Sequence, residues 1–214
     1  GAVEVEGEGY RRAGQVLHGG ARPSAAVAAA ARRLAVAGVL CNEASWHDEE
    51  DGTPHHLGDT VDVALLVLGA KLEVSAAALA RTHPPAASIP FESERRFAAE
   101  FTADATGLRG WVKGAAEVVL PMCAGGDQDA LAATAAGLAA EGYRVLALAE
   151  GAVADESPGS LRGLDFLGFV CLIDPVRPEV PAAVARARRA GVEVKMVTGD
   201  HPQTALAIGR TLGL

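Results

Sequence analysis

Small apolar residues dominate from Ala25 to Val39, with Arg32 and Arg33 on one side and Leu34 and Leu40 on the other. With Ser24 ahead of it as an N-cap, this pattern predicts a closely packed helix over 24–39. The stretch WHDEEDGTPHHLGD is polar and rich in turn formers, and it reads as a surface loop. Val63, Leu66, Val67 and Ala70 recur at spacings of three and four and predict a second helix over 60–72; a third, alanine-rich, covers 74–81 and stops before His83-Pro84-Pro85. From Ile89 the period changes to two. Segments 97–102 and 109–112 flank the polar, Gly-ended turn 103–107 as a β-hairpin would. After Lys113 the chain turns into a short helix, then a helix over 128–141 leads through Gly142 into the strand YRVLALAEG, and LGFVCLI forms a further strand ending at Asp174. Pro178 opens a helix with Val180 and Val184 as its buried stripe, and Gly191 stops it. The strand VEVKMV and a helix from Pro202 close the chain; on pattern alone LGFVCLI and VEVKMV pair in one βαβ unit.

Composition narrows the class. The chain has 214 residues, 50% of them apolar and 21% charged, enough for a core of one or two domains. Its formal charge is −8 and its basic residues are scattered, which argues against nucleic acid as a partner. Cys41, Cys123 and Cys171 are odd in number and widely spaced, fitting neither a disulfide framework nor a zinc site. No apolar stretch approaches the roughly 18 residues needed to cross a bilayer, and a soluble chain is expected. The start, Gly1 without Met, suggests an excised piece of something longer.

Two strings carry the chemistry. VEVKMVTGD, followed by a helix, puts a hydroxyl and free backbone N–H groups at a strand's carboxyl end, where phosphate is stabilised. Thr198, Gly199 and Asp200 are the phosphate-side candidates, although an ordinary strand-to-helix turn capped by Asp fits the same tripeptide. In KGAAE, Lys113 leaves a strand and Gly114 lets another group approach the backbone. Phe91 stands beside Arg95 and Arg96 in a polar stretch, and an exposed ring next to cations suits a purine; an isolated Phe is otherwise a core residue. Lys113, Arg95, Arg96 and Arg144 are the cations available to offset phosphate charge on so acidic a chain. His47 to Asp51 with His55 and His56 lack regular ligand spacing, so no metal site is expected there.

In this order LCNEA, GDTVDVALL, PFESERR, KGAAE, GYRVLALA, DPVRPEV and MVTGDHPQTALAIG resemble the cytoplasmic ATP-binding region of P-type cation-transporting ATPases, most similar to the calcium-pump and sodium-pump branch. The resemblance implies an α+β fold, an antiparallel sheet flanked by helices, over 1–173, with 174–214 as the incomplete start of a returning, Rossmann-like phosphorylation domain. It thereby places LGFVCLI and VEVKMV in different domains. It further implies that Phe91 stacks on adenine, that Asp62 stands where the family has a Glu near the base, and that Lys113 and Gly114 line the pocket. Arg144 reaches the phosphates, Arg96 stands where many members have Lys, Asp174 and Arg177 belong to the hinge, and Thr198, Gly199 and Asp200 to the phosphate-side loop. Asp62 for Glu, Ala116 for Pro, Val176 for a hinge Pro and Ser93 for Arg are departures that bear on base recognition.

The function so implied is binding of ATP with its Mg2+, presented to an aspartate that this chain lacks, since no DKTGT string occurs in it. No catalytic residue is therefore expected here, and the chain alone is expected to bind but not to pump. Its partners are the phosphorylation, actuator and membrane domains of a pump whose cytoplasmic side it occupies. The rival readings are a fragment of a soluble aspartyl-phosphate phosphatase and a non-enzymatic helical interaction module. Lys113 and Phe91 are both expected to be partly exposed, so that replacing either leaves folding intact.

Overall fold

The computed structural model of the chain describes residues 1–7, 10–48, 54–105, 107–173, 179–197 and 202–214. Two short antiparallel ladders come first, β1 (Glu4–Val5) with β2 (Val16–Leu17) and β3 (Ser45–Asp48) with β4 (Pro54–Leu57). The main sheet has five antiparallel strands in chain order: β5 (Pro85–Ile89), β6 (Phe97–Asp104), β7 (Gly107–Ala115), β8 (Arg144–Ala152) and β9 (Asp165–Leu172). One face carries α1 (Ala25–Leu40) and α2 (Thr60–Lys71), with α3 (Ala76–Thr82) against α1. The other carries α4 (Ala116–Val119), a 3-10 turn (Leu120–Met122) and α5 (Gln128–Ala140). Beyond the sheet come α6 (Val180–Arg189) and α7 (Pro202–Leu212). The chain is thus a mixed α and β fold built on antiparallel sheets.

Alternation along the strands sorts side chains between the layers. Phe101, Val112, Ala147 and Ala149 face α4 and α5, while Trp111, Leu148 and Val170 face Ala37 and Cys41 of the α1 end and Leu65 of α2. Covered on both sides, the middle of β7 is buried without a break, Gly110 to Gly114. The small residues of α1 and α2 let these helices touch closely. A Cβ on Gly69 would lie 2.5 Å from Val39 Cγ2. Charge ties the same layer down: buried Glu150 of β8 accepts from Arg33 of α1 and from Arg109 of β7 at 2.9 Å, and Arg33 also meets Asp165 of β9 at 2.9 Å.

The helices follow the periodicity within a residue or two of the predicted ends, the ordinary spread of boundary definitions. Three strand expectations change. Part of the polar stretch 46–59 forms β3 and β4, held by the pairing of Trp46 with His56 and by the Arg12 guanidinium 4.3 Å from the Trp46 ring centre. Residues 85–89, not predicted as a strand, pair with β6; the Pro sits first on this edge strand, where no ladder N–H is needed. The predicted strand VEVKMV is irregular over 192–197, with Val197 96% exposed, since alternation makes no strand without a neighbour to bond and none adjoins it among the described residues. Among the described residues no single helix is long and apolar enough to cross a bilayer.

Gly69→Ala is expected to lower stability by about 1–3 kcal/mol in urea unfolding, since Val39 is too stiff to yield and the overlap outweighs the helix propensity gained. Adding Val39→Ala should recover part of the loss; a neutral Gly69→Ala would show that the helices are not in close contact.

Candidate functional site

One end of the sheet brings together the start of β6, the end of β7 and the start of β8: Phe97 pairs with Gly114, Ala115 with Leu146, and Arg144 is the exposed first residue of β8. On the face toward α1 and α2, Lys113 stands between its cross-strand partners Ala98 and Leu148. Its side chain is buried and ion-paired with Asp62 Oδ1 of α2, itself buried. Two charges taken out of water this far persist only when paired and hydrogen-bonded.

Asp62 is held from several sides. Its Oδ2 accepts the Glu43 N–H at 3.0 Å. Asn42, just past α1, donates its side-chain amide to the Asp62 carbonyl at 2.9 Å and to the Gly38 carbonyl at 3.1 Å, while its Oδ1 accepts the Ala44 N–H at 2.9 Å. Asn42 thus clamps the end of α1 to the first turn of α2. Glu43 then reaches outward, and its Oε1 accepts the Phe91 N–H at 2.9 Å. Lys113, Asp62, Glu43 and Phe91 are successive members of one hydrogen-bonded chain that runs from the sheet to the backbone of a residue 51% exposed.

The segment after Phe91 is fixed at its far end. Arg96 adopts the left-handed conformation (φ 57°), donates its N–H to the Glu92 carbonyl at 2.7 Å, and accepts the Ala115 N–H at 2.9 Å. Gly114 is required there, because a Cβ would lie 2.5 Å from the Arg96 carbonyl oxygen and 2.7 Å from Phe97 Cβ. The group that approaches this glycine is the chain's own backbone. Arg96 pairs with Glu117 at 2.7 Å and Arg95 with Glu92 at 3.1 Å, both on the surface.

Two further groups lie on the same face. Cys41 Sγ donates to the Trp111 carbonyl at 2.8 Å, and burial pushes its thiol up to about 12, so it stays protonated as a packing group. Glu100 of β6 stands opposite Trp111, two residues along from Ala98, and partial burial raises its carboxyl from 4.5 to about 6.

Asp62, Phe91, Arg96, Lys113, Gly114 and Arg144 therefore gather at one sheet end. Asp174, Arg177, Thr198, Gly199 and Asp200 lie outside the described residues. One expectation is corrected: Lys113 is 4% exposed, not partly exposed, because Asp62 and α2 cover it. The cations are also less free than their sequence positions suggested, since Lys113, Arg95 and Arg96 each face a carboxylate. Glu43, Asn42 and Glu117 had been assigned no role, although they lie in LCNEA and KGAAE; an Asn just past a helix end is the detectable signal, since it caps readily. Of the acidic and histidine stretch 47–56, residues 49–53 and the side chains of His47 and Asp48 are outside the description; among the described residues no three His, Cys, Asp or Glu groups converge as metal ligands.

Comparison with known proteins bears on the same segments. The family model for the cytoplasmic N domain of P-type ATPases matches residues 30–179. Cation-transporting ATPase pma1 of Synechocystis is 37% identical over 192 residues, covering 83% of this chain and 21% of that protein. Probable cation-transporting ATPase F of Mycobacterium tuberculosis H37Rv is 38% identical over 205 residues, 87% of this chain and 22% of its own length. Calcium-transporting ATPase type 2C member 1 of mouse is 32% identical over 228 residues, 99% of this chain and 23% of that protein. The chain spans about a fifth of the length of the curated relatives it matches.

Lys113→Ala is expected to lower unfolding free energy by about 3–5 kcal/mol in urea, because it strands a buried carboxylate. Asp62→Asn in the same chain should restore much of that loss; equal destabilisation with and without it would refute the coupling. Glu100 sets a separate pH dependence. Its folded carboxyl holds a proton more tightly than the unfolded one, so its stabilising contribution is full below pH 4.5 and is lost as pH rises through about 6. Allowing for solvent screening at this partly exposed position, the difference between wild type and Glu100→Gln should change by about 1 kcal/mol across that window. Parallel stability curves for the two proteins would count against it.

Proposed function

This chain belongs to the P-type cation-transporting ATPases, matching their cytoplasmic N domain, and from that premise we propose that it binds ATP with its Mg2+ and presents the γ-phosphate to an aspartate elsewhere in a longer pump. The observation that carries the reading is the hydrogen-bonded chain joining the backbone of Phe91, an exposed aromatic residue, to a buried ammonium group, two parts of the site that come from separate segments. Phe91 offers a face for adenine, and base stacking of this kind contributes roughly 1–3 kcal/mol. Lys113 and Gly114 form the floor. Held by Asp62, Lys113 acts on the base side, because leaving a buried partner costs far more than a phosphate contact at the surface returns.

Arg96 and Arg144 serve the phosphates. The surface pair of Arg96 with Glu117 is worth about 1 kcal/mol or less, so phosphate oxygens displace that carboxylate at small cost. Residues 1–173 make up the nucleotide-binding domain and 174–214 begin the returning phosphorylation domain, with Asp174 and Arg177 at the hinge and Thr198, Gly199 and Asp200 on the phosphate side. Mg2+ enters with the nucleotide and offsets phosphate charge. In the whole pump, transfer to the aspartate forms an aspartyl-phosphate, and its formation and hydrolysis drive cation movement across the membrane. This domain's part is to hold and orient the donor.

One stacked ring and a few surface cations, set against the cost of association, give an expected Kd of about 0.1–1 mM or weaker. Phe91→Ala should weaken ATP binding about 5- to 10-fold, as followed by amide chemical shifts, with unchanged unfolding because the ring is half exposed. Absence of any saturable shift around Phe91 and Lys113 in the wild type would overturn the reading.

A further inference from the structure

Resting on that nucleotide reading, we infer that Glu43 is a positioning residue for the base: its carboxylate fixes the backbone of Phe91 and so sets the ring at the height of the pocket floor. The backbone of Glu43 is not free to drift. Its N–H is bonded to Asp62 Oδ2 at 3.0 Å, and the next residue, Ala44, is bonded to Asn42 Oδ1 at 2.9 Å. From this fixed base the exposed side chain spans to a residue 48 positions away in sequence, where Oε1 accepts the Phe91 N–H at 2.9 Å. The segment that bears the ring leaves β5 after Ile89 and is tied at its far end by the Ala115 N–H to Arg96 carbonyl bond at 2.9 Å and by the Arg96–Glu117 pair at 2.7 Å. Glu43 supplies the anchor at the near end.

A ring held at both ends of its segment meets the base without first being ordered, and pre-organisation of this kind acts on affinity with little effect on the fold. Glu43 itself carries a negative charge beside a site read as taking an anionic nucleotide, so charge alone would make its removal strengthen binding. Positioning and charge thus predict opposite signs for the same substitution.

The test is ATP titration of the full chain, followed by amide shifts or calorimetry, with thermal unfolding recorded for every variant. Glu43→Ala should weaken ATP binding about 3- to 10-fold, whereas Glu43→Gln, which keeps an oxygen acceptor, should bind within about twofold of wild type or tighter. Glu43→Asp keeps the charge but draws the carboxylate back by one methylene, and it should reproduce the loss; it carries the test should Glu43→Ala fail to fold. In a Phe91→Ala background, Glu43→Ala should produce no further loss, because it acts only through that ring. Wild-type affinity in both Glu43→Ala and Glu43→Asp, or losses that multiply with Phe91→Ala, would overturn the role of Glu43 while leaving the nucleotide reading in place. A wild type with no saturable ATP binding would overturn both.

Discussion

The buried pair between Lys113 and Asp62 is the interaction on which the site depends. Lys113 belongs to the central sheet and Asp62 to a helix laid over it, so their pairing ties the two layers together. Neither group is tolerable there alone. The other oxygen of Asp62 accepts the Glu43 N–H, and the Glu43 carboxylate in turn accepts the Phe91 N–H at the surface. An exposed segment is thus linked by hydrogen bonds to an interaction out of reach of solvent.

The surface cations stand in a different energetic class. Arg95 and Arg96 are engaged with Glu92 and Glu117 in exposed contacts, which solvent weakens and which a ligand can exchange. One end of the sheet thus combines a buried pair that cannot rearrange with surface pairs that can. The chain's negative balance adds to this, because carboxylates are at hand to hold these cations in place.

What could be read from the sequence depended on whether the deciding interaction was local. Helical periodicity is local, and the helices were legible from Val63, Leu66 and Val67 or from the cap at Ser24. Strand identity is shared between partners. PAASI looks like a loop until β6 lies beside it, and VEVKMV looks like a strand although no partner adjoins it among the described residues. The β3–β4 hairpin was hidden by its polarity, since its support comes from Trp46, His56 and distant Arg12. The six residues that gather at one sheet end were nameable as candidates through resemblance, with the depth of Lys113 left unread. A lysine before a glycine looks solvated in its own neighbourhood, and the carboxylate that buries it lies 51 residues earlier.

The sequential order of the five strands has a kinetic consequence. The β6–β7 hairpin closes over a short turn, so the sheet can begin to form from neighbours and needs little loop-closure entropy at the outset. Docking of α1 is different in kind: its Arg33 meets Glu150 and Asp165 across 117 and 132 residues. Contacts of such separation form late in assembly. Although α1 precedes the whole main sheet along the chain, it is then among the last elements to find its place on it.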